Sequence, residues 1–268
     1  MNVVVTFHQQ KRSINVKQIV FIMKKLSFIL FGVLFAAFSI TSCAMVFAQN
    51  AKGNGKIVTR DYPVSNFNEL STTLPAIVNF TVGESYSCKL TVDENLLEYI
   101  DIKTEKETLQ LQTKRGARVN LMPTKMVIDI TAPTLEEIDL AGSGDINILT
   151  PLENRKMEID IAGSGSVVFQ GESKFFKLDV DLAGSGSAKL PNALVNEADI
   201  SIAGSGEVVL AGLVKDAEVE IAGSGDVDLT GAAIEKLEYS IAGSGNILYS
   251  KVANIHGDRA GSGDVIRK

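Results

Sequence analysis

Apolar and polar residues alternate along the second half of the chain in blocks built around the tetrapeptide Ala-Gly-Ser-Gly. Apolar residues stand three positions and one position before the alanine, as Ile200 and Ile202 do before Ala203. They return two and four positions after the second glycine, as Val208 and Leu210 do. A period of two on both sides predicts two β-strands. Glycine reaches positive φ without a steric clash, so the tetrapeptide is predicted to be the corner between them.

The tetrapeptide occurs seven times at nearly constant spacing. Its copies begin at Ala141, Ala162, Ala183, Ala203, Ala222, Ala242 and Ala260. The repeats are 18 to 21 residues long, which is too short for a propeller blade and too long for the nine-residue calcium β-roll. Their apolar residues do not recur with the period of a helix. Each repeat fits one coil of a parallel β-solenoid, with coils about 4.8 Å apart. We predict an all-β fold, a right-handed parallel β-helix with coils of about 20 residues turned at Gly-Ser-Gly.

The solenoid is predicted to fill residues 57–268 as a single β-helix domain. Residues 136–268 hold the seven regular repeats, and residues 57–135 form irregular capping coils. Residues 49–56 are predicted to be a polar tether. Asp93 is expected to cap a short helix that runs to Ile100. Alternation in the capping part predicts the strands Ile57–Tyr62, Ile77–Val82, Cys88–Val92, Leu109–Gln112 and Met126–Thr131.

Residues 1–48 have the pattern of an export signal. Met23 and two lysines precede an apolar run that is short for a membrane span, and we expect translation to start at Met23. Two cleavage sites remain open. One resembles a lipobox and makes Cys43 the lipid-attachment residue, whereas the other follows Ala48. Both predict an exported protein of the periplasm, outer membrane or cell surface, in which Cys88 is a core residue.

Charge is unevenly distributed along the chain. Residues 136–268 contain 11 basic and 22 acidic residues, a net charge of −11. An acidic surface repels phosphate backbones, so no nucleic-acid partner is expected. The lysines of these repeats follow no common position, and we expect them to be scattered surface charges: Lys174, Lys177, Lys189 and Lys215.

Two positions that precede each alanine are rich in carboxylates. Alternation places both outward on one strand, so stacking should line them up about 4.8 Å apart. Like charges in line are unfavourable and need an offset. One interpretation is a solvated face screened by salt. The other is a calcium-binding face, whose candidate ligands are Glu137, Asp139, Glu158, Asp160, Asp179 and Asp181.

The sequence does not favour an enzyme. The chain has two histidines, and its carboxylates recur periodically instead of forming a separate catalytic pair. Gly-Ser-Gly-Asp lacks the lysine of a phosphate-binding loop. We therefore expect no catalytic residues and no cofactor. The serines of the corners are expected to bond the backbone of the turn.

The run from Asp93 to Leu97 and the serial Gly-Ser-Gly repeats resemble the head GIN domain family, the auto-transporter-adhesin-like proteins of Bacteroidetes. The resemblance spans Ile57 to Lys268. It implies a β-helix shaped like the pectin lyases but without their catalytic residues, and a role in cell adhesion as an oligomer. The expected partners are then a surface protein or glycan of a host or neighbouring cell, and a second copy of the chain. A carbohydrate-binding module is the alternative. Membrane contact is expected only through a lipid anchor on Cys43.

Overall fold

The computed structural model describes residues 49–268, which lie in one compact unit. The predicted signal region, the Met23 start and the lipid-attachment residue Cys43 lie outside the described residues. Within this range, no helix is long and apolar enough to cross a membrane.

The regular repeats form stacked parallel coils, which confirms the predicted solenoid. Every Ala-Gly pair lies beside the equivalent pair of the next coil, as Ala183 lies beside Ala203 and Ala203 beside Ala222. The strands of this part are β10 Glu137–Gly142, β11 Asp145–Ile148, β12 Leu152–Gly163, β13 Ser166–Phe169, β14 Ser173–Gly184, β15 Ser187–Gly204, β16 Glu207–Gly223, β17 Asp226–Gly243, β18 Asn246–Gly261 and β19 Val265–Arg267.

Each coil has three straight segments, which give the solenoid three faces. The first segment precedes the Gly-Ser-Gly corner, and its outward side chains form the acidic face. The second segment follows that corner and forms the second face. The third segment begins near Leu152 in the first regular coil, and its outward side chains form the third face. Around Arg155 and Lys156 two successive residues are exposed, which marks the corner back to the acidic face.

The core is a set of apolar columns that run through the coils. Ile138, Ile159, Val180, Ile200 and Val219 occupy equivalent inward positions and are almost fully buried. This pattern confirms the inward and outward assignment made from alternation. Cys88 is a buried free thiol, as predicted, and burial raises its pKa to about 12.

The Gly-Ser-Gly corners are fixed by backbone bonds between coils. The first glycine of each motif has positive φ, for example 133° at Gly204. The amide of the serine that follows donates to the carbonyl of the equivalent glycine one coil earlier, as Ser205 N does to Gly184 O at 2.8 Å. The predicted bond from the serine to the turn backbone is therefore made by the serine's backbone amide. The serine residue itself is exposed at the corner.

The N-terminal part joins parallel coils to antiparallel strands. Its strands are β1 Gln49–Lys52, β2 Ile57–Tyr62, β3 Glu69–Thr72, β4 Ile77–Val82, β5 Ser87–Asp93, β6 Ile100–Glu105, β7 Thr108–Thr113, β8 Val119–Met122 and β9 Met126–Ala132. β3 and β4 continue the parallel stack onto β10 and β11. β5 pairs antiparallel with β2 and β9, and β6 pairs antiparallel with β7. Each of the five strands predicted here coincides with an observed strand within one residue at either end.

Two local predictions need correction. Residues 49–52 of the predicted tether form β1, which pairs in parallel with β8. This strand is largely exposed, so apolar alternation gave no sign of it. The predicted helix is a 3₁₀ helix, Glu94–Tyr99, and Asp93 makes no side-chain capping bond.

Asp93 instead ties two loops together. Its fully buried carboxylate accepts hydrogen bonds from Gly55 N at 2.7 Å, Thr124 N at 2.8 Å and Thr124 Oγ1 at 2.6 Å. Burial alone would raise the pKa of Asp93, but these bonds and one from Lys125 N outweigh it and hold the pKa below its ordinary value.

Candidate functional site

The carboxylates of the acidic face form two columns, as alternation predicted. Glu137 lies beside Glu158, and Asp139 beside Asp160. The next coil continues both columns, because Asp179 follows Glu158 and Asp181 follows Asp160. The six predicted calcium candidates are therefore adjacent on one face.

Lysines at the edge of this face offset part of its charge. Lys177 contacts Asp179 on its own strand and Asp199 in the next coil, the latter at 3.1 Å. Lys156 contacts Glu158 and lies 3.7 Å from Asp179. Burial alone would lower the pKa of Lys177, but its two hydrogen-bonded carboxylates outweigh it and raise the pKa.

The second column is less well compensated. Burial raises the pKa of Asp160 to about 7, and Asp181, Glu158, Asp139 and Glu137 add to the rise by repulsion. The pKa values of Asp139 and Asp181 are also raised, mainly by burial. The middle of this column therefore carries a carboxyl that is partly protonated at neutral pH.

These columns do not converge into a metal cage. In residues 49–268 no group of three or more histidine, cysteine or carboxylate side chains is arranged to hold a metal ion. The stacked geometry spreads the carboxylates along the solenoid instead of around one point. The lysine contacts supply part of the offset that like charges in line require, and the calcium interpretation stays a prediction.

The third face carries an open groove with a volume of about 1130 Å³. Its outward column has polar ends and an apolar middle. The column runs in register through Glu153, Lys174, Leu194, Leu213, Ala233 and Lys251. Beneath it lies the inward column of Phe175, Val195, Val214 and Ile234, all buried.

Two large apolar side chains of this groove face solvent. Phe176 is 49% exposed and Leu213 is 60% exposed. Phe175 points inward, where its ring packs edge-on against Phe169 at a centroid distance of 6.1 Å, so Phe176 points outward. The Arg155 guanidinium lies 5.9 Å from the centre of the Phe176 ring, within range of a cation–π contact.

The groove is basic, although this half of the chain is acidic. Its five cations outnumber its two carboxylates, Glu153 and Glu235, which gives a net charge of +3. The cations are Arg155, Lys174, Lys215, Lys251 and Arg267. The Nζ of Lys174 is held 2.6 Å from a carboxylate oxygen of Glu153. No ion pair within residues 49–268 engages the side chains of Lys215, Lys251 or Arg267.

Sequence reasoning missed this site. Lys174 and Lys215 were expected to be scattered charges, yet the fold brings both to one groove. Lys177 and Lys189 belong elsewhere, because Lys177 pairs on the acidic face and Lys189 pairs with Glu207 at 2.9 Å. Phe176 and Leu213 are large apolar residues that point outward in the fold, but their outward direction cannot be counted from the Gly-Ser-Gly corner in the sequence.

Comparison with known proteins places the chain in a family. A family profile described as "putative auto-transporter adhesin, head GIN domain" matches residues 66–250. The chain belongs to the head GIN domain family. This confirms the resemblance drawn from the repeats. None of the curated proteins matches the chain significantly.

Several solved structures share the fold over nearly their whole length. A "putative lipid binding protein" from Parabacteroides distasonis is 29% identical, with a TM-score of 0.71 over 81% of this chain and 96% of the other. A "putative adhesin" from Bacteroides fragilis is 26% identical, with a TM-score of 0.72 over 80% and 98%. A "putative adhesin" from Parabacteroides merdae is 26% identical, with a TM-score of 0.69 over 82% and 100%.

Proposed function

We propose that this head GIN domain is a non-enzymatic, exported binding head of the adhesin type, which contacts its partner through the groove on the third face. The observation that carries the proposal is the pair of exposed apolar side chains, Phe176 and Leu213, among cations in an acidic half of the chain. Exposed apolar groups with convergent charges are typical of binding surfaces. The descriptions of the family and of its structural neighbours support a binding role.

A carbohydrate-binding module is the second candidate. The half-exposed ring of Phe176 is the observation that favours it, because aromatic rings pack against apolar faces of ligands. The aliphatic column beside the ring favours a less polar ligand. The two candidates share the groove and differ in the ligand.

A binding screen tests the proposal. The purified protein is applied to a glycan array and to a panel of extracellular-matrix and cell-surface proteins, with and without calcium. The double variant Phe176→Ser/Leu213→Ser is run beside it. The matched control is Leu149→Ser, which changes an apolar residue that is 40% exposed and lies outside the groove.

A specific hit that the groove variant loses and the control keeps supports the proposal. A hit on a glycan selects the carbohydrate-binding candidate, whereas a hit on a protein selects adhesion to a protein receptor. If the groove variant still binds the same ligand, the ligand is recognised by another face, and the proposed role of the groove is contradicted.

A further inference from the structure

The groove is apolar in its middle and basic at its ends. Along the outward column, Lys174 is followed by Leu194, Leu213 and Ala233, and then by Lys251. Strands in register lie about 4.8 Å apart, so four steps separate the two lysines by about 19 Å. Three consecutive apolar positions therefore form a strip flanked by cations on one side of the solenoid.

The two ends of this strip differ in the charge that they leave available. At the N-terminal end, Glu153 pairs with Lys174, and Arg155 lies over Phe176. At the C-terminal end, Lys251, Arg267 and the nearby Lys215 have no ion-pair partner within the described range. Glu235 also lines this end, so three cations there face one carboxylate. The groove therefore has a direction, with available positive charge toward its C-terminal end.

A ligand complementary to this groove needs an apolar body and an anionic end. Leu194, Leu213 and Ala233 offer no hydrogen-bonding side chain, so a hydroxyl-rich ligand would lose hydrogen bonds with water along this strip. A hydrocarbon chain gains by covering it. Lysine and arginine bind carboxylate and phosphate groups by charge-assisted hydrogen bonds. Ligand pockets measure roughly 300–1,000 Å³, so the groove has room for such a molecule.

We propose that the groove binds a single-chain anionic amphiphile. Its anionic group contacts Lys215, Lys251 and Arg267, and its hydrocarbon chain lies along Ala233, Leu213 and Leu194 toward Phe176. This inference rests on the proposed function, since it assigns a ligand class to the same groove.

Calorimetric titration of the full chain with three matched probes tests the ligand class. Palmitoyl-lysophosphatidylglycerol has the chain and the charge. Palmitoyl-lysophosphatidylcholine has the same chain and no net charge, and glycerol phosphate has the charge and no chain. All are used below their micelle concentrations. The anionic lysolipid is expected to bind about tenfold more tightly than the zwitterionic one, and glycerol phosphate is expected to give no heat. Equal affinity for the two lysolipids, or no binding of either, overturns the proposal.

Variants test the site. Lys215→Gln/Lys251→Gln should reduce the affinity for the anionic lysolipid to that for the zwitterionic one. Phe176→Ser/Leu213→Ser should weaken both lysolipids by about tenfold, because the apolar strip is interrupted. Lys189→Gln and Leu149→Ser, which change side chains outside the groove, should leave both affinities unchanged. Binding that both groove variants retain overturns the assignment.

Two further outcomes distinguish a single-chain ligand from a bilayer surface and from a glycan or protein ligand. Co-sedimentation with phosphatidylglycerol vesicles in the absence of lysolipid binding indicates a bilayer surface as the partner and contradicts a single-chain ligand. A glycan or protein ligand that Phe176→Ser/Leu213→Ser abolishes, with no lysolipid binding, leaves the proposed function intact and refutes this inference alone.

Discussion

Replacing Asp160 by asparagine should stabilise the protein at alkaline pH and have little effect at acidic pH. Asp160 stands between Asp139 and Asp181 in the second carboxylate column. Its pKa is about 7, because burial and the neighbouring carboxylates disfavour its charged form. At pH 8 the folded protein must therefore hold a charge that its surroundings disfavour, and asparagine removes that charge while keeping nearly the same shape.

The size of the effect follows from the difference between the folded and the unfolded pKa. Between an ordinary value of 3.8 and about 7, each pKa unit corresponds to about 1.4 kcal/mol, which sets an upper bound of about 4 kcal/mol. Partial exposure of the carboxyl and screening by solvent reduce this to about 1–2 kcal/mol. Since the folded pKa is raised, the stabilisation by the bound proton is complete below pH 3.8 and is lost as pH rises through 7.

Thermal unfolding followed by far-UV circular dichroism measures this difference. For a domain of this size, about 1–2 kcal/mol corresponds to a rise in Tm of about 3–6 °C at pH 8. Near pH 3, Asp160 is protonated in both the folded and the unfolded wild type, so the two proteins should melt together, and at pH 5 their difference should be smaller than at pH 8. Asp258→Asn is the control, because Asp258 is exposed in the last coil and lies beside Ser240. Equal Tm values of variant and wild type at pH 8 would refute the reasoning.

Three other perturbations probe the core, the corners and the acidic face. Ile202→Asp should abolish the cooperative unfolding transition, because Ile202 is fully buried and the substitution places a charge in the core; wild-type-like melting would contradict the inward assignment. Gly204→Ala should cost more than about 2 kcal/mol, since its φ is 133° and its Cβ would lie 2.3 Å from Gly184 O. Gly55→Ala, which has φ of 78° and open space, should cost less in the same denaturant titration. Millimolar calcium should leave the Tm unchanged because the described carboxylates are spread along the acidic face instead of around one point, whereas a rise in Tm with a calorimetric heat would support the calcium interpretation.

The first two faces could be predicted from sequence because each is anchored to the Gly-Ser-Gly corner. Counting from that corner, Ile200 and Ile202 fall inward and Asp199 and Ser201 outward in each aligned coil. Side-chain direction has a period of two in strands, so the assignment remains valid as long as no residue is inserted. The same counting aligned the carboxylate columns.

The third face could not be predicted in this way because the coils vary in length before they reach it. Two residues lie between Leu190 and Ala193, whereas one lies between Leu210 and Gly212, and the register shifts there. A shift of one residue exchanges inward and outward positions in an alignment that starts at the corner. Leu213 and Lys215 therefore have no fixed position in the repeat, and only the folded chain shows that they share a groove.

Asp93 was assigned wrongly for a different reason. A carboxylate ahead of a helical segment is a common capping signal, and the sequence shows no sign of the loops around Gly55 and Thr124 that approach the same side chain. These residues are 38 and 31 positions away. Contacts at such distances depend on the completed fold and not on a local pattern.

The corner bond between successive coils makes the length of the protein adjustable in whole steps. Ser185 N bonds Gly163 O, and Ser205 N bonds Gly184 O, with the same distance of 2.8 Å. Deleting residues 185–204 would join Gly184 to Ser205, which then takes the place of Ser185 beside Gly163. Each coil added or removed in this way changes the length of the solenoid by about 4.8 Å. Every remaining corner keeps a glycine carbonyl to accept the bond from its serine amide. Binding heads of different lengths can therefore be made from the same Gly-Ser-Gly corner.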